Sequence, residues 1–165
     1  MEFTNGIGEE YNNVERKRNK YPEIMLSDCI IKNIEIKGEN IVANFDEYGF
    51  FIKDSEKGKY YRTDSAQIVI KKCDMENIAI KEIRTQKLSE ELFFDSIYDV
   101  EFKKCLTNIN MGRWKFEIVE EFYSTRRALY IGQVREKDKS FWLCVKIQFE
   151  ELLYLWNNIR YDCPF

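Results

Sequence analysis

The chain has 165 residues, 44% hydrophobic and 33% charged, with a net charge of −3. That length suits one domain with a sizeable core and no staples. The charge argues against a nucleic-acid binder relying on a positive field, and no apolar run nears the roughly 18 residues of a membrane helix.

Residues 1–22 are polar and weakly periodic up to Pro22, and are expected to form an arm or a marginal helix ahead of a single β-rich domain over 23–165. The opening MEFTNGIGEEYNNVERKRNK has no basic-then-apolar pattern, so the expectation is a cytoplasmic protein. Its Glu15–Lys20 segment is a short basic cluster, of the kind that is usually a solvated arm.

DCIIKNIEI, the turn Gly38-Glu39-Asn40 and IVANF predict a hairpin. A second turn at Glu47-Tyr48-Gly49 leads into GFFIKD. KYYRT, AQIVIKK and NIAIKEI add β-branched runs.

SEELFFDSIYDVEFKKCL predicts the one main helix, near 89–104. Ser89 is its cap, Glu90 and Glu91 lie in its first turn, and Phe93, Ile97 and Val100 have helical spacing.

Then comes an antiparallel meander. In RWKFEIVEEFY, Trp114, Phe116, Ile118 and Phe122 share a face broken only by Glu120. RALYIGQVRE follows, and SFWLCVKIQF alternates strictly. The tail is expected to start a short helix at Glu150-Glu151, with Leu152 to Ile159 closing the core. The fold class is mainly β (α+β): an antiparallel sheet, as a sandwich or partly open barrel, with one main helix.

The absence of histidine removes Ser-His-Asp and Cys-His nucleophile activation and His-containing zinc sites. NGIGEEY places Tyr11 where a phosphate-binding loop needs its third glycine. Five dispersed cysteines, at 29, 73, 105, 144 and 163, contain no C-x-x-C pair and read as free thiols. No cofactor, metal or catalytic residue is assigned. Asp46 with Glu47, and Asp95 with Asp99, are the carboxylate pairs on which an enzyme would have to draw.

What remains is binding. Asp46, Glu47, Tyr48, Trp142 and Tyr161 are the candidate partner contacts, since each sits in a turn, on a polar strand face or in the tail. Trp142 stands on the polar face of the most regular strand, where either the helix covers it or a partner does, the helix being the expectation.

Asp28-Cys29-x-Ile31-x-x-Ile34, followed by Asn40-Ile41, Phe45 and Gly49-Phe50, resembles a broad group of small bacterial proteins. These open with a His-Asp-Cys/Ser-x-Ile strand that runs into a hairpin, and several resemble immunity proteins paired with secreted toxins. The resemblance spans residues 27–53, and Ser27 stands where the group carries histidine. It implies a cytosolic, largely antiparallel β fold and a toxin-neutralising role. The expected function is therefore a non-catalytic protein-binding module with a protein partner, in its most specific form a toxin domain. The alternatives are a small-ligand β-barrel carrier and a carboxylate-dependent enzyme.

Overall fold

The structure, a computed structural model, describes Tyr11, residues 13–17 and residues 21–165. The NGIGEEY stretch before Tyr11, and Arg18, Asn19 and Lys20 of the basic cluster, lie outside the described residues.

The strands in chain order are β1 Asn13–Lys17, β2 Ile24–Met25, β3 Cys29–Lys37, β4 Asn40–Phe45, β5 Phe51–Lys53, β6 Tyr60–Thr63 and β7 Ala66–Lys71. β8 Ala79–Lys87 and β9 Phe93–Asp99 come next, then helix α1 Phe102–Asn110. β10 Lys115–Ser124, β11 Arg127–Glu136, β12 Lys139–Gln148, β13 Glu151–Trp156 and β14 Ile159–Pro164 complete the chain.

Ten strands form one antiparallel sheet in the order β1-β13-β7-β4-β3-β10-β11-β12-β8-β9, and four form a smaller one, β14-β6-β5-β2. Among the described residues, the expected mainly-β fold with one main helix is the fold observed, and the large sheet is open at β1 and β9. Among the described residues, no helix is long and apolar enough to cross a membrane.

The large sheet curls around α1. Ile68 and Ile70 of β7, Ile80 of β8, and Cys105 and Ile109 of α1 all line one apolar cavity of about 40 Å³, although five strands separate β7 from β8 in the sheet order. Bulges supply local bending, one in β3 between Ile31 and Asn33 and one in β10 between Ile118 and Glu120. The helix is clasped at its end: Asn110 Oδ1 accepts from Ile34 N–H at 2.7 Å, and its Nδ2 donates to Ile34 O at 2.7 Å. Ligand pockets of drug size run to about 300–1,000 Å³, so at about 40 Å³ the inside of the curl is a filled core.

Four sequence expectations are corrected here. The helix begins at Phe102, and residues 93–99 are a strand paired with β8. Phe93 and Ile97 are four apart, and that spacing shares a face in a helix and in a strand alike. The tail forms β13 in place of a helix. Leu152, Tyr154 and Trp156 enter the main core, while Leu153 and Leu155 join Val42 and Val69 behind the sheet, so the unbroken apolar run is a strand buried on both faces.

In β10 the bulge shifts the alternation, burying Glu121 and leaving Phe122 52% exposed. Finally, α1 packs on the face of β12 that carries Val145 and Ile147, so Trp142 on the opposite face is uncovered.

Candidate partner-binding site

The loop between β4 and β5 is built around its own turn. Asp46 Oδ1 accepts from Tyr48 N–H at 3.0 Å, and Gly49 N–H donates to Asp46 O at 3.1 Å. Gly49 has φ +56° and lies so close to the β6–β7 turn that a Cβ there would stand 1.9 Å from Thr63 Oγ1. The loop is thereby pressed onto the sheet. Phe50 is fully buried beyond it, while Glu47 and Tyr48 point to solvent. Of the three acidic and aromatic residues expected here, Asp46 shapes the turn and Tyr48 is displayed by it.

Behind Tyr48 stands Arg62 of β6. Its guanidinium lies 4.3 Å from the Phe51 ring centroid and 5.9 Å from that of Tyr48, and its Nη2 donates to Asp28 O at 2.9 Å. Arg160 of β14 is directly opposite Arg62 across the strand pair. Phe165 meets Phe51 edge-on at 4.9 Å and is 69% exposed. Tyr48, Arg62, Arg160 and Phe165 therefore form one aromatic and cationic face. Arg160 also reaches Asp162 at 3.2 Å, which holds the Asp162 carboxyl below its ordinary range.

Tyr161 is placed differently. It packs on Tyr61 at 5.0 Å, with Lys57 Nζ 4.5 Å above its ring. Tyr61 and Arg62 alternate on β6, so Tyr161 belongs to the reverse side of the small sheet. Trp142 is farther still, on β12, in a cross-strand row with Ile83 of β8 and Ile97 of β9. The structure thus gathers Asp46, Glu47 and Tyr48 and separates Tyr161 and Trp142 from them. Arg62, Arg160 and Phe165 went unassigned in the sequence. The cross-strand pairing that brings the two arginines together has no local signature.

Asp95 and Asp99 each have an in-chain partner. Asp95 Oδ1 accepts from Thr85 Oγ1 at 2.6 Å, and Asp99 pairs with Lys81 at 2.5 Å. Four residues apart on a strand, these two acids are about 13 Å apart along the backbone, beyond the roughly 5–9.5 Å of glycosidase pairs. Glu82 is buried and paired with Arg84.

Among the described residues, Glu121 is the other buried carboxylate. Its Oε2 accepts from Leu26 N–H at 2.6 Å and Ser27 N–H at 3.0 Å, and its Oε1 accepts from the Tyr123 hydroxyl at 2.8 Å. Burial raises its pKa, against the pull of those hydrogen bonds. It ties the β2–β3 turn to β10.

All five cysteines are free thiols. Burial pushes Cys29 and Cys105 up to about 12 and Cys73 to about 11, so these three stay protonated and shielded. Cys144 and Cys163 are only half-buried. Titration with a thiol-reactive dye is expected to show two accessible groups in the native protein and five after denaturation without reductant. Fewer than five after denaturation would contradict the free-thiol assignment.

These features define a mainly-β protein with one strongly curled open sheet, one clasped helix and a small sheet bearing a Tyr–Arg face. No family model, curated protein or solved structure matches the chain.

Proposed function

We propose that the chain is a non-catalytic protein-binding module that docks a separate protein on the face formed by Tyr48, Arg62, Arg160 and Phe165. The observation that carries this reading is the convergence of exposed aromatic rings and two opposed arginines, each ring or guanidinium already held by a neighbour. Aromatic residues and arginine dominate binding hot spots, and side chains ordered beforehand lose less entropy on association. The two guanidiniums suit a partner that offers carboxylates above an apolar patch, with Glu47 at the rim favouring one register over another. The resemblance of residues 27–53 to immunity-like proteins makes neutralisation of a toxin domain, in the cytoplasm, the most specific form of this function.

The test is capture with immobilised full-length protein from the source cell and from neighbouring strains, followed by affinity measurement with the purified captured protein. Tyr48→Ala and Arg160→Ala are each expected to weaken binding by about thirtyfold or more, as for a hot spot worth 2 kcal/mol, with an unchanged melting temperature. Tyr161→Ala, on the reverse side, is expected to leave affinity within about threefold. Binding that survives both Tyr48→Ala and Arg160→Ala sinks the reading.

A further inference from the structure

β9 is the outer edge of the ten-stranded sheet, with no strand beyond it among the described residues. None of its seven residues is buried. It is apolar on both faces: Phe93 and Ile97 are 58% and 62% exposed on one, Phe94 and Tyr98 39% and 50% on the other. Edge strands are ordinarily blunted by proline, lysine or uncompensated charge. β9 has no proline and no lysine, and its two carboxylates are already engaged by Thr85 and Lys81 of its own hairpin.

The backbone hydrogen bonds define what this edge offers. Leu88 N–H donates to Leu92 O at 2.8 Å and Val100 N–H to Ile80 O at 2.9 Å, so the hydrogen-bonded pairs of the β8–β9 ladder fall on the even-numbered residues of that stretch. By the alternation of antiparallel ladders, the N–H and C=O groups of Phe93, Asp95, Ile97 and Asp99 point outward.

We infer that this edge pairs with β9 of a second copy, antiparallel about a two-fold axis through Ser96, joining the two large sheets into one. Three features select that register. Ser96 is the midpoint of β9, so all seven residues overlap. Asp95 then faces Ile97 of the second copy, and Asp99 faces its Phe93, so no like charges oppose; centring on Asp95 or Ile97 would set carboxylate against carboxylate. The outward groups of Asp95 and Ile97 form hydrogen-bonded pairs, while Phe94 meets Tyr98 of the second copy at the closer, non-hydrogen-bonded sites where aromatic pairs gain most. Such an interface is isologous and closes as a dimer. It uses none of the residues of the face proposed above for a separate protein, so either can fail alone.

Full-length protein is expected to sediment as a dimer at about 50 μM. Ile97→Asp places like charges at two sites across the axis and is expected to give a monomer with an unchanged circular dichroism spectrum. Adding Asp95→Lys sets lysine against that aspartate across the axis and is expected to restore the dimer, which a merely misfolded variant would not do.

Register is read by Ser96→Cys. The two Cα atoms would be about 4.5 Å apart in a non-hydrogen-bonded pair, within the 4.4–6.8 Å that a disulfide spans. Diamide, which takes up the two protons and two electrons, should then yield a covalent dimer at least tenfold faster than with wild type or Thr85→Cys. A monomer at 50 μM, larger open-ended assemblies, or a dimer unaffected by Ile97→Asp and not cross-linked through Cys at position 96 would each overturn the inference.

Discussion

Replacing Glu121 by alanine is expected to lower stability by about 3 kcal/mol, because it strands Leu26 N–H in a buried place and Ser27 N–H in a half-buried one, and an orphaned buried group costs about 1–3 kcal/mol. For a chain of this length that corresponds to a fall of roughly 10 °C in melting temperature. Glu121→Gln keeps an acceptor for the turn and a donor for Tyr123, and so separates the charge from the hydrogen bonds. The folded state holds the Glu121 proton more tightly than the unfolded chain does, since burial raises the carboxyl above its ordinary 4.5. The stabilisation linked to that proton is complete below about pH 4.5 and is lost as the pH rises through the raised, folded-state value. Stability measured by denaturant at several pH values should therefore show Glu121→Gln gaining on the wild type from pH 4.5 upward. A difference that stays flat with pH would show that the carboxylate carries no such penalty.

Gly49→Ala is expected to cost about 3–4 kcal/mol, and Gly38→Ala only about 1 kcal/mol. Both glycines have positive φ, +56° and +64°, so both substitutions meet the same backbone strain of roughly 1–2 kcal/mol. At Gly38 a Cβ meets nothing within 4 Å, whereas at Gly49 it meets Thr63 Oγ1 at 1.9 Å and Asp64 O at 2.1 Å. The difference between the two variants isolates the clash, which forces the loop off the sheet at a cost typical of overpacking. Because Thr63 Oγ1 also accepts from Phe50 N–H at 3.1 Å, displacement there disturbs the Phe50 hub, whose ring meets Phe45, Tyr154 and Trp156 edge-on. Chemical denaturation of the two variants in parallel decides the point. Equal losses would mean that the loop yields freely and that the display of Tyr48 does not depend on Gly49.

Local periodicity was enough for some of the molecule. The strict alternation of SFWLCVKIQF, with Phe141, Leu143, Val145 and Ile147 all buried, is the alternation of β12, offset from it by one residue at each end. Gly38-Glu39 closes the first hairpin, with Lys37 paired to Asn40, because a glycine at the first loop position accepts the positive φ of a two-residue turn. The five cysteines are unpaired as their spacing implied. The helix stops where Gly112, at φ +70°, ends it.

Other features depended on partners remote in sequence. Whether ELFFDSIYD is helix or strand turned on Lys81–Lys87, which supplies the ladder for it; spacing of four residues is common to both structures. LLYLW is a strand because β1 and β7 flank it on either side and two separate apolar clusters receive its two faces. A β-bulge is one extra residue in a ladder, invisible until the partner strand is known. That is why Glu121, and not Phe122, turned inward.

The candidate site divides the same way. Tyr48 was legible because a turn with its own Asx bond and glycine displays whatever stands at its tip. Arg62 and Arg160 are 98 positions apart and become neighbours only when β6 pairs with β14. By itself the sequence determined the class of fold, the first hairpin and the Tyr48 turn, and the unpaired cysteines, since these follow from a residue and its nearest neighbours. Register, bulges, the two-sided burial of β13 and the composition of the exposed face were decided by tertiary structure alone, because each is a property of two segments held together and of neither one.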